Sequence, residues 1–550
     1  MNASRLPRLS GGLIAALLLW LVGLPLLLTL LEALRDSGVF SLIHVREFLT
    51  RGDEWIALWR TLWISAASVL LTALIGVPLA FFFERNDFPG RRILGALIAL
   101  PIALPPLVGV IAFLFLYGES GFLARGLQAL FGLENAPWRL YGPGAILLVH
   151  AYSMYAFFYL FTRAALARFD HSMLEAAAAL GAGRLRTLRR VILPQLRPAL
   201  LGAALLVFMT SLGSFSAPFI FAGGYRVMTT QIVASKLSGK LGLAQAEAVV
   251  LALTAFLALW LIRRLQGPEV TASAHGIAPL RPRRATPWKR RGLTAIAGLL
   301  TLIALLPHLT LLLISFVPPD SWTIEWLPPE LALVNYERLV SSPERLRPML
   351  NSLWMAAAAT AGAVTLGLLT ARSALRLRGR AGALLEALIA LPWAVPGTVF
   401  AIALATAFSV HAPLLGRFVW VGTPIILPLA YLVRCLPLTG RATLAGLRQF
   451  DGALEEAASS LGAGPWRRFQ KVLFPQIRPA LLAGAGLAFI TALGDFVSSI
   501  VLYTYETRPI SIEIQTTLRI QEFGVAAAYG VVLMLISSAA FLVWGQSERT

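Results

Sequence analysis

Long apolar runs constrain the fold of this chain more than any other feature of its sequence. Each run holds about 20 residues, and an α-helix of that length rises about 30 Å, the thickness of the hydrocarbon core of a bilayer. A membrane-spanning β-strand would need only about 10 residues with strict alternation of polar and apolar side chains. We therefore predict an all-α integral membrane protein with about twelve transmembrane helices, at 12–34, 57–83, 93–117, 143–164, 198–222, 244–264, 292–316, 348–372, 383–409, 422–438, 480–503 and 524–545.

The sequence repeats itself across its midpoint, which indicates two domains of similar fold. ALIALPIALPP at 96–106 matches ALIALPWAVPG at 387–397, and a polar segment beginning EAAAALGAG at Glu175 returns as EAASSLGAG at Glu456. Because each half then holds six spans, an even number, the two six-helix repeats are expected to run parallel to each other. We predict a first domain at 1–264, a basic linker at 265–291 and a second domain at 292–550.

Positive charge is distributed unevenly among the predicted loops and indicates an orientation. The formal net charge of +20 comes from Lys and Arg that crowd the N-terminus, the linker and both polar segments. Such residues concentrate on the cytoplasmic side of membrane proteins, so we predict cytoplasmic N- and C-termini and cytoplasmic polar segments. Binding to nucleic acid is the weaker interpretation, because the basic residues are interleaved with spans and are not gathered in one domain.

The repeated polar segment, at 170–198 and 451–479, has the pattern of a short helix outside the bilayer. Asp170 and Asp451 are good N-cap residues, and the Gly that follows six positions after each Glu ends the helix and turns the chain. A basic stretch and a proline then lead into the next span. A basic helix resting on anionic lipid would explain the arginines, but it would not explain Glu, Gly and Pro at the same positions in both copies.

The pattern EAA, Gly six positions after the Glu, then Ile/Leu/Val-x-Pro resembles the EAA loop of permease subunits in bacterial type I ATP-binding-cassette importers. The resemblance covers essentially the whole chain and implies that each EAA loop docks on one of two copies of a separate cytoplasmic ATPase. It also implies an extracytoplasmic substrate-binding protein as a partner and a multi-pass location in the bacterial inner membrane. The residues that match the motif are Glu175, Ala176, Ala177, Gly181, Pro194, Glu456, Ala457, Ala458, Gly462 and Pro475.

Motifs for catalysis and metal binding are missing from the sequence. It contains neither the phosphate-binding pattern GxxxxGK[ST] nor HExxH, and its six histidines are scattered without the spacing of metal ligands. We therefore predict no catalytic residue, no metal site and no cofactor bound by this chain. ATP and Mg are expected to be used by the partner ATPase.

The predicted translocation path uses the most polar stretches that lie within spans, SLGSFSAP at 211–218 and TALGDFVSS at 491–499. A charged residue at mid-bilayer costs about 2.5–3.5 kcal/mol on insertion scales, so Asp495 should face a partner, water or solute. Single serines could instead be interhelical hydrogen-bond partners. Pro105-Pro106 and Pro396-Gly397 are expected to break their helices in equivalent places. The path residues predicted on this basis are Ser211, Ser214, Ser216, Asp495, Ser498 and Ser499.

The sequence also suggests a solute. The fused layout with GDFVSSIVLY in its second half resembles the permeases of ferric-iron importers, which implies ferric iron as the transported solute. Thiamine, a polyamine, a phosphonate or another small solute is the alternative within the same machinery. A secondary transporter with parallel repeats would give the same hydropathy and repeat, but it would not need two identical docking helices.

Overall fold

The computed structural model describes residues 5–170, 172–266, 286–322, 325–377, 379–409 and 419–545. Most of the predicted basic linker lies outside these residues. The helices on either side extend further than the sequence suggested, to Gln266 before the linker and from Pro287 after it. The two helices therefore overlap the predicted linker at 265–291 by two residues at its start and by five at its end.

The first half is helical apart from one short antiparallel hairpin, in which Arg35–Asp36 pairs with Val39–Phe40. π-Helical turns occur at Leu19–Gly23 and Leu188–Ile192, and a 3-10 turn at Leu100–Ala103. The α-helices are Arg5–Leu18, Leu24–Ala33, Ile43–Thr50, Gly52–Arg85, Arg91–Leu97, Pro106–Tyr117, Phe122–Phe131, Gly142–Ala167, Ser172–Ala179, Arg184–Thr187, Leu193–Leu212, Ser216–Phe221, Met228–Leu237 and Leu241–Gln266.

The second half repeats this order of long and short helices in its described residues. A π-helical turn at Phe469–Leu473 occupies the place of the one at Leu188–Ile192. The α-helices are Pro287–Ser315, Val334–Ser341, Pro343–Leu377, Gly379–Ala394, Gly397–Phe408, Ile426–Gln449, Gly452–Ser460, Pro465–Arg468, Phe474–Leu493, Val497–Leu502, Ile510–Arg519 and Phe523–Gly545.

Ten described helices are long and apolar enough to cross a membrane, and the bent pair Gly379–Ala394 with Gly397–Phe408 would be an eleventh. The predicted span at 422–438 corresponds to Ile426–Gln449, which Arg434 and Arg441 make more polar than the others. This helix packs between its neighbours in the interior of the second half, so it does not depend on lipid contact for its stability. The predicted span at 93–117 is broken, and its spanning helix begins only at Pro106.

Equivalent glycines bring helices together in the two halves. A Cβ atom on Gly76 would lie 2.4 Å from the carbonyl oxygen of Tyr155, and one on Gly367 would lie 2.9 Å from Thr439 Oγ1. Backbones approach this closely only where a side chain is missing, which is the usual way in which helices pack in a membrane. The same contact therefore fixes Gly52–Arg85 against Gly142–Ala167 and Pro343–Leu377 against Ile426–Gln449.

Candidate functional site

The two EAA loops, residues 170–198 and 451–479, fold in the same way. Each begins with a short helix, turns at a glycine and continues into a second helix that runs through a π turn into a long helix. Gly181 and Gly462 have φ angles of 69° and 79°, a left-handed conformation that glycine adopts at little cost. The predicted short helix and its glycine stop are thus confirmed in both copies.

Aspartate side chains begin both loops. Asp451 Oδ1 accepts a hydrogen bond from the backbone N–H of Ala453 at 3.0 Å, and Asp170 Oδ1 accepts one from Ser172 at 3.0 Å. These bonds satisfy backbone donors that have no partner inside the helix. The predicted N-cap is confirmed at Asp451, and Asp170 makes the equivalent hydrogen bond in the first loop.

The prolines of the EAA loops do not mark the start of the long helices that follow. Pro194 and Pro475 fall in the first turn of Leu193–Leu212 and Phe474–Leu493, where a missing N–H costs little. The helical rod, however, already begins at Arg184 and Pro465 and extends unbroken for 29 residues in each half. The prolines were expected to set the entry into the next span, but each long helix begins before its proline. The π turn just before each proline accommodates the missing N–H.

Both loops present apolar side chains to solvent at one end of the bundle, here called the EAA end. Leu180 and Leu461 are 86% and 88% exposed, and Trp466 is 68% exposed. Glu175 and Glu456 are also exposed, whereas Ala177 is buried. Apolar side chains exposed at equivalent places, beside the arginines at 184–190, are the composition of a surface that binds another protein.

A cavity of about 390 Å³ lies between the two halves. Both helix breaks that the prolines were predicted to cause line it, and at the second of them the chain bends by 107°. The breaks are thus confirmed and placed at the cavity wall. Residues that line the cavity include Pro101, Pro105, Pro106, His150, Ser153, Ser214 and Ser216 from the first half and Pro392, Pro396, Gly397, Arg434 and Thr491 from the second.

The halves cross each other at the cavity through reciprocal contacts. A Cβ atom on Gly494 would lie 2.7 Å from Pro105 Cβ, and one on the equivalent Gly213 would lie 3.6 Å from Pro396 Cβ. The rings of Phe215 and Phe496, again at equivalent positions, have their centroids 5.6 Å apart. Each half therefore seats the end of its long helix on the broken helix of the other.

The first half supplies a neutral hydrogen-bond cluster to the cavity. The two ring nitrogens of His150 lie 2.9 Å from Ser68 Oγ and 2.9 Å from Ser214 Oγ, and Ser211 Oγ is 3.2 Å from Nδ1. Hydroxyl groups can donate or accept, so they satisfy a neutral imidazole without any charge.

The second half places an ion pair at the cavity, in which Asp495 is equivalent to Ser214 and Arg434 is equivalent to Ser153. Arg434 Nη1 lies 2.5 Å from Asp495 Oδ2, and Asp495 Oδ1 accepts a hydrogen bond from the backbone N–H of Ser498 at 2.7 Å. The side chain of Asp495 is only 1% exposed, against 28% for Arg434. The carboxylate is therefore enclosed by protein, and the guanidinium is the end of the pair that faces the cavity.

The predicted path residues separate into two groups. Ser214 and Ser216 line the cavity, whereas Ser211, Asp495, Ser498 and Ser499 are buried in its wall. Ser499 Oγ, for example, lies 2.7 Å from the hydroxyl of Tyr431. The polar atoms of these four bond to neighbouring protein groups, the alternative that the sequence left open for the serines, and their part in the path stays a prediction. Arg434 was missed, although an arginine inside a predicted span is itself a signal of function.

Family membership follows from two matching stretches. Residues 73–267 and 363–549 both match the family described as binding-protein-dependent transport system inner membrane components. The chain belongs to this family. It is a multi-pass membrane protein and a fused two-domain permease of an ATP-binding-cassette importer, as its EAA loops suggested.

Two relatives are similar over nearly the whole chain and a third over part of it. A probable ABC transporter permease protein, y4fN, of Sinorhizobium fredii is 30% identical and covers 98% of this chain and 97% of its own. The ferric transport system permease protein FbpB of Actinobacillus pleuropneumoniae is 28% identical over 97% of this chain and 77% of its own. The sulfate transport system permease protein CysT of Escherichia coli is 29% identical over 39% of this chain and 80% of its own.

Proposed function

We propose that this permease forms the membrane path of an importer that receives its solute from an extracytoplasmic binding protein. Two copies of a separate cytoplasmic ABC ATPase drive it, one beneath each EAA loop, and ATP and Mg bind to those subunits. The pair of EAA loops carries this proposal, because two surfaces of the same fold reach the same end of the bundle. Two ATPase subunits of the same kind need two exposed docking surfaces of the same fold.

The chemistry of the loops fits the contact with an ATPase. Leu180 and Leu461 project at the tips of the short helices, where burial on binding would remove most of each side chain from water. Glu175 and Glu456 lie on the same helices and would meet basic groups of the partner. Gly181 and Gly462 let the chain turn sharply enough for both helices to lie across the EAA end.

We place the permease in the bacterial inner membrane with the EAA end and both termini in the cytoplasm. This orientation is supported by the arginines of the EAA loops and by the basic residues of 265–291, which follow the usual cytoplasmic bias of Lys and Arg. The substrate-binding protein would then dock at the opposite end, where Met228–Leu237 and Ile510–Arg519 occupy equivalent places in the two halves.

Ferric iron is the first candidate for the solute. It is supported by the ferric transport permease of Actinobacillus pleuropneumoniae, whose similarity extends over nearly the whole of this chain. An oxyanion is the second candidate, supported by the sulfate permease relative and by a guanidinium at the cavity wall.

The test is uptake of ⁵⁵Fe into proteoliposomes that contain the permease, its ATPase and its binding protein. Replacing both Glu175 and Glu456 by Ala should lower ATP-dependent uptake at least tenfold, because the docking contacts would be lost on both sides. Glu119→Ala, an exposed glutamate outside the EAA loops, is the matched control and should leave uptake unchanged. Unchanged uptake in the double variant would refute the assignment of the EAA loops.

A further inference from the structure

The charge of the central cavity points to the chemical class of the solute, and this inference rests on the proposed importer function. Among the described residues that line the cavity, Arg434 is the one Lys, Arg, Asp or Glu. We propose that the cavity accepts its solute through anionic oxygen atoms, which Arg434 binds. The source of these atoms is either a free oxyanion or a ferric ion enclosed by carboxylate or phosphate ligands.

The ion pair with Asp495 does not cancel the charge of Arg434 on the side of the guanidinium that faces the cavity. Asp495 accepts bonds on both oxygens, from Arg434 Nη1 and from the backbone of Ser498, and its side chain is almost fully buried. An arginine has five N–H donors, and the contact with Asp495 uses the Nη1 end. The carboxylate thus holds the guanidinium in place from behind, and the remaining donors stay available on the cavity side.

The backbone beneath Arg434 adds to the positive potential. A Cβ atom on Gly397 would lie 2.9 Å from Arg434 Nη1, so the guanidinium packs directly on the first residue of the helix Gly397–Phe408. The N-terminus of a helix carries partial positive charge, which adds to that of the guanidinium on the cavity side, where Asp495 does not reach. The 12-residue helix Pro106–Tyr117 also begins at the cavity wall, so two helix N-termini and one guanidinium meet there.

Cationic solutes fit this arrangement poorly. The lining residues offer hydroxyl groups, backbone and Arg434, but among the described lining residues there is no carboxylate to neutralise a cation. In the described part of the chain, no three His, Cys, Asp or Glu side chains lie together in a way that could hold a metal ion. A ferric ion would therefore pass Arg434 only with its own anionic ligands around it.

Two measurements test the proposal on the full chain. In the first, the purified permease is heated in detergent with sulfate, phosphate or citrate, each compared with chloride at equal ionic strength. One of these anions should raise the melting temperature of the wild type and of Arg434→Lys, but not of the double variant Arg434→Gln/Asp495→Asn, which removes the charge without leaving a partner unpaired. Arg448→Gln makes the same change on the same helix outside the cavity and should keep the shift.

In the second measurement, the assembled importer is supplied with ⁵⁵Fe-citrate or with [³⁵S]sulfate without iron. The double variant should lower uptake of the transported species at least tenfold relative to Arg448→Gln. Loss of iron-citrate uptake identifies a chelated ferric ion as the source, and loss of sulfate uptake identifies a free oxyanion. Equal uptake or equal melting shifts in the double variant and wild type would overturn the proposal, as would preferred uptake of a cation such as thiamine. An importer that shows no ATP-driven uptake of any solute would instead refute the proposed function, and the melting shifts would still decide the role of Arg434.

Discussion

The two halves of the permease are nearly the same at the EAA end and differ at the cavity. At the EAA end, Ser172–Ala179 and Gly452–Ser460 are followed by the same glycine turn and the same π turn. At the cavity, Ser153 and Ser214 of the first half stand where the second has Arg434 and Asp495. The difference shows that a duplicated fold can keep its EAA loops alike, as two proposed docking surfaces, while the charge at its central cavity becomes one-sided.

The residues around these positions also differ between the two halves. Gly397 leaves room for the guanidinium of Arg434, whereas the first half has Pro106 and Ser153 at the equivalent positions, and Ser153 donates to its own helix at Val149. A large cation therefore needed a glycine opposite it, and a serine did not. Four experiments separate the paired features from the one-sided ones.

Removing Asp495 should have the largest effect. Asp495→Ala leaves Arg434 without its partner inside the membrane and should lower the free energy of unfolding by about 3 kcal/mol. The equivalent change in the first half, Ser214→Ala, removes one hydrogen bond in a neutral cluster and should cost about 1 kcal/mol. Thermal unfolding in detergent measures both. The double variant Arg434→Gln/Asp495→Asn should recover most of the loss, and equal costs for the two single variants would contradict the one-sided charge.

An added methyl group should destabilise the permease more at one of the two equivalent contacts between the halves than at the other. Gly494→Ala places a Cβ atom 2.7 Å from Pro105 Cβ and should destabilise the permease by about 2 kcal/mol through overpacking. Gly213→Ala meets nothing closer than 3.5 Å and serves as its matched control, with a change within about 0.5 kcal/mol. Equal melting temperatures for the two variants would contradict the closer approach of Gly494 to Pro105.

Replacing the turn glycine by alanine should destabilise the permease equally in the two EAA loops. Gly181 and Gly462 both have positive φ angles with open space around them, so Ala at either position meets only backbone strain, about 1 kcal/mol. Gly183→Ala and Gly464→Ala, whose φ angles are negative, are controls that should cost less. Unfolding measurements on all four variants test the symmetry of the EAA end; a strong effect in only one loop would break it.

The smallest expected change in stability comes from the contact that joins each EAA loop to a long helix of its own half. Arg372 Nη2 lies 3.4 Å from Glu455 Oε1, whereas the equivalent Phe81 and Leu174 pack on a buried apolar cluster. Salt screens a partly exposed ion pair, so Arg372→Gln should cost about 0.5 kcal/mol at low ionic strength and less at 1 M salt. Phe81→Leu should show no such dependence on salt. Hydrogen exchange of the two short helices at both ionic strengths provides the measurement.

Much of the fold could be predicted because the physics is local. A run of apolar residues must be helical to satisfy its backbone in lipid, and the aspartate before each EAA segment and the glycine after it specify a cap and a turn through neighbouring residues alone. The cavity wall depends on which residues of distant helices meet. Asp495 was expected in the path because it is charged, but its carboxylate is turned towards Arg434 and Ser498, which the sequence places 61 and 3 residues away. Pairing across such distances cannot be read from one chain, so the carboxylate was placed in the path and the guanidinium was overlooked.

The unbroken helices that leave the EAA loops act as levers. Arg184–Leu212 and Pro465–Leu493 each hold 29 residues, so each is about 44 Å long. A tilt of about 5° at the loop end of such a rod moves its far end by about 4 Å, more than the radius of a water molecule. Because those far ends rest on the broken helix of the opposite half, at Pro396 and Pro105, a tilt of either long helix would press on the opposite half at the cavity wall. Movement of one EAA loop alone would therefore be transmitted to both halves at the cavity.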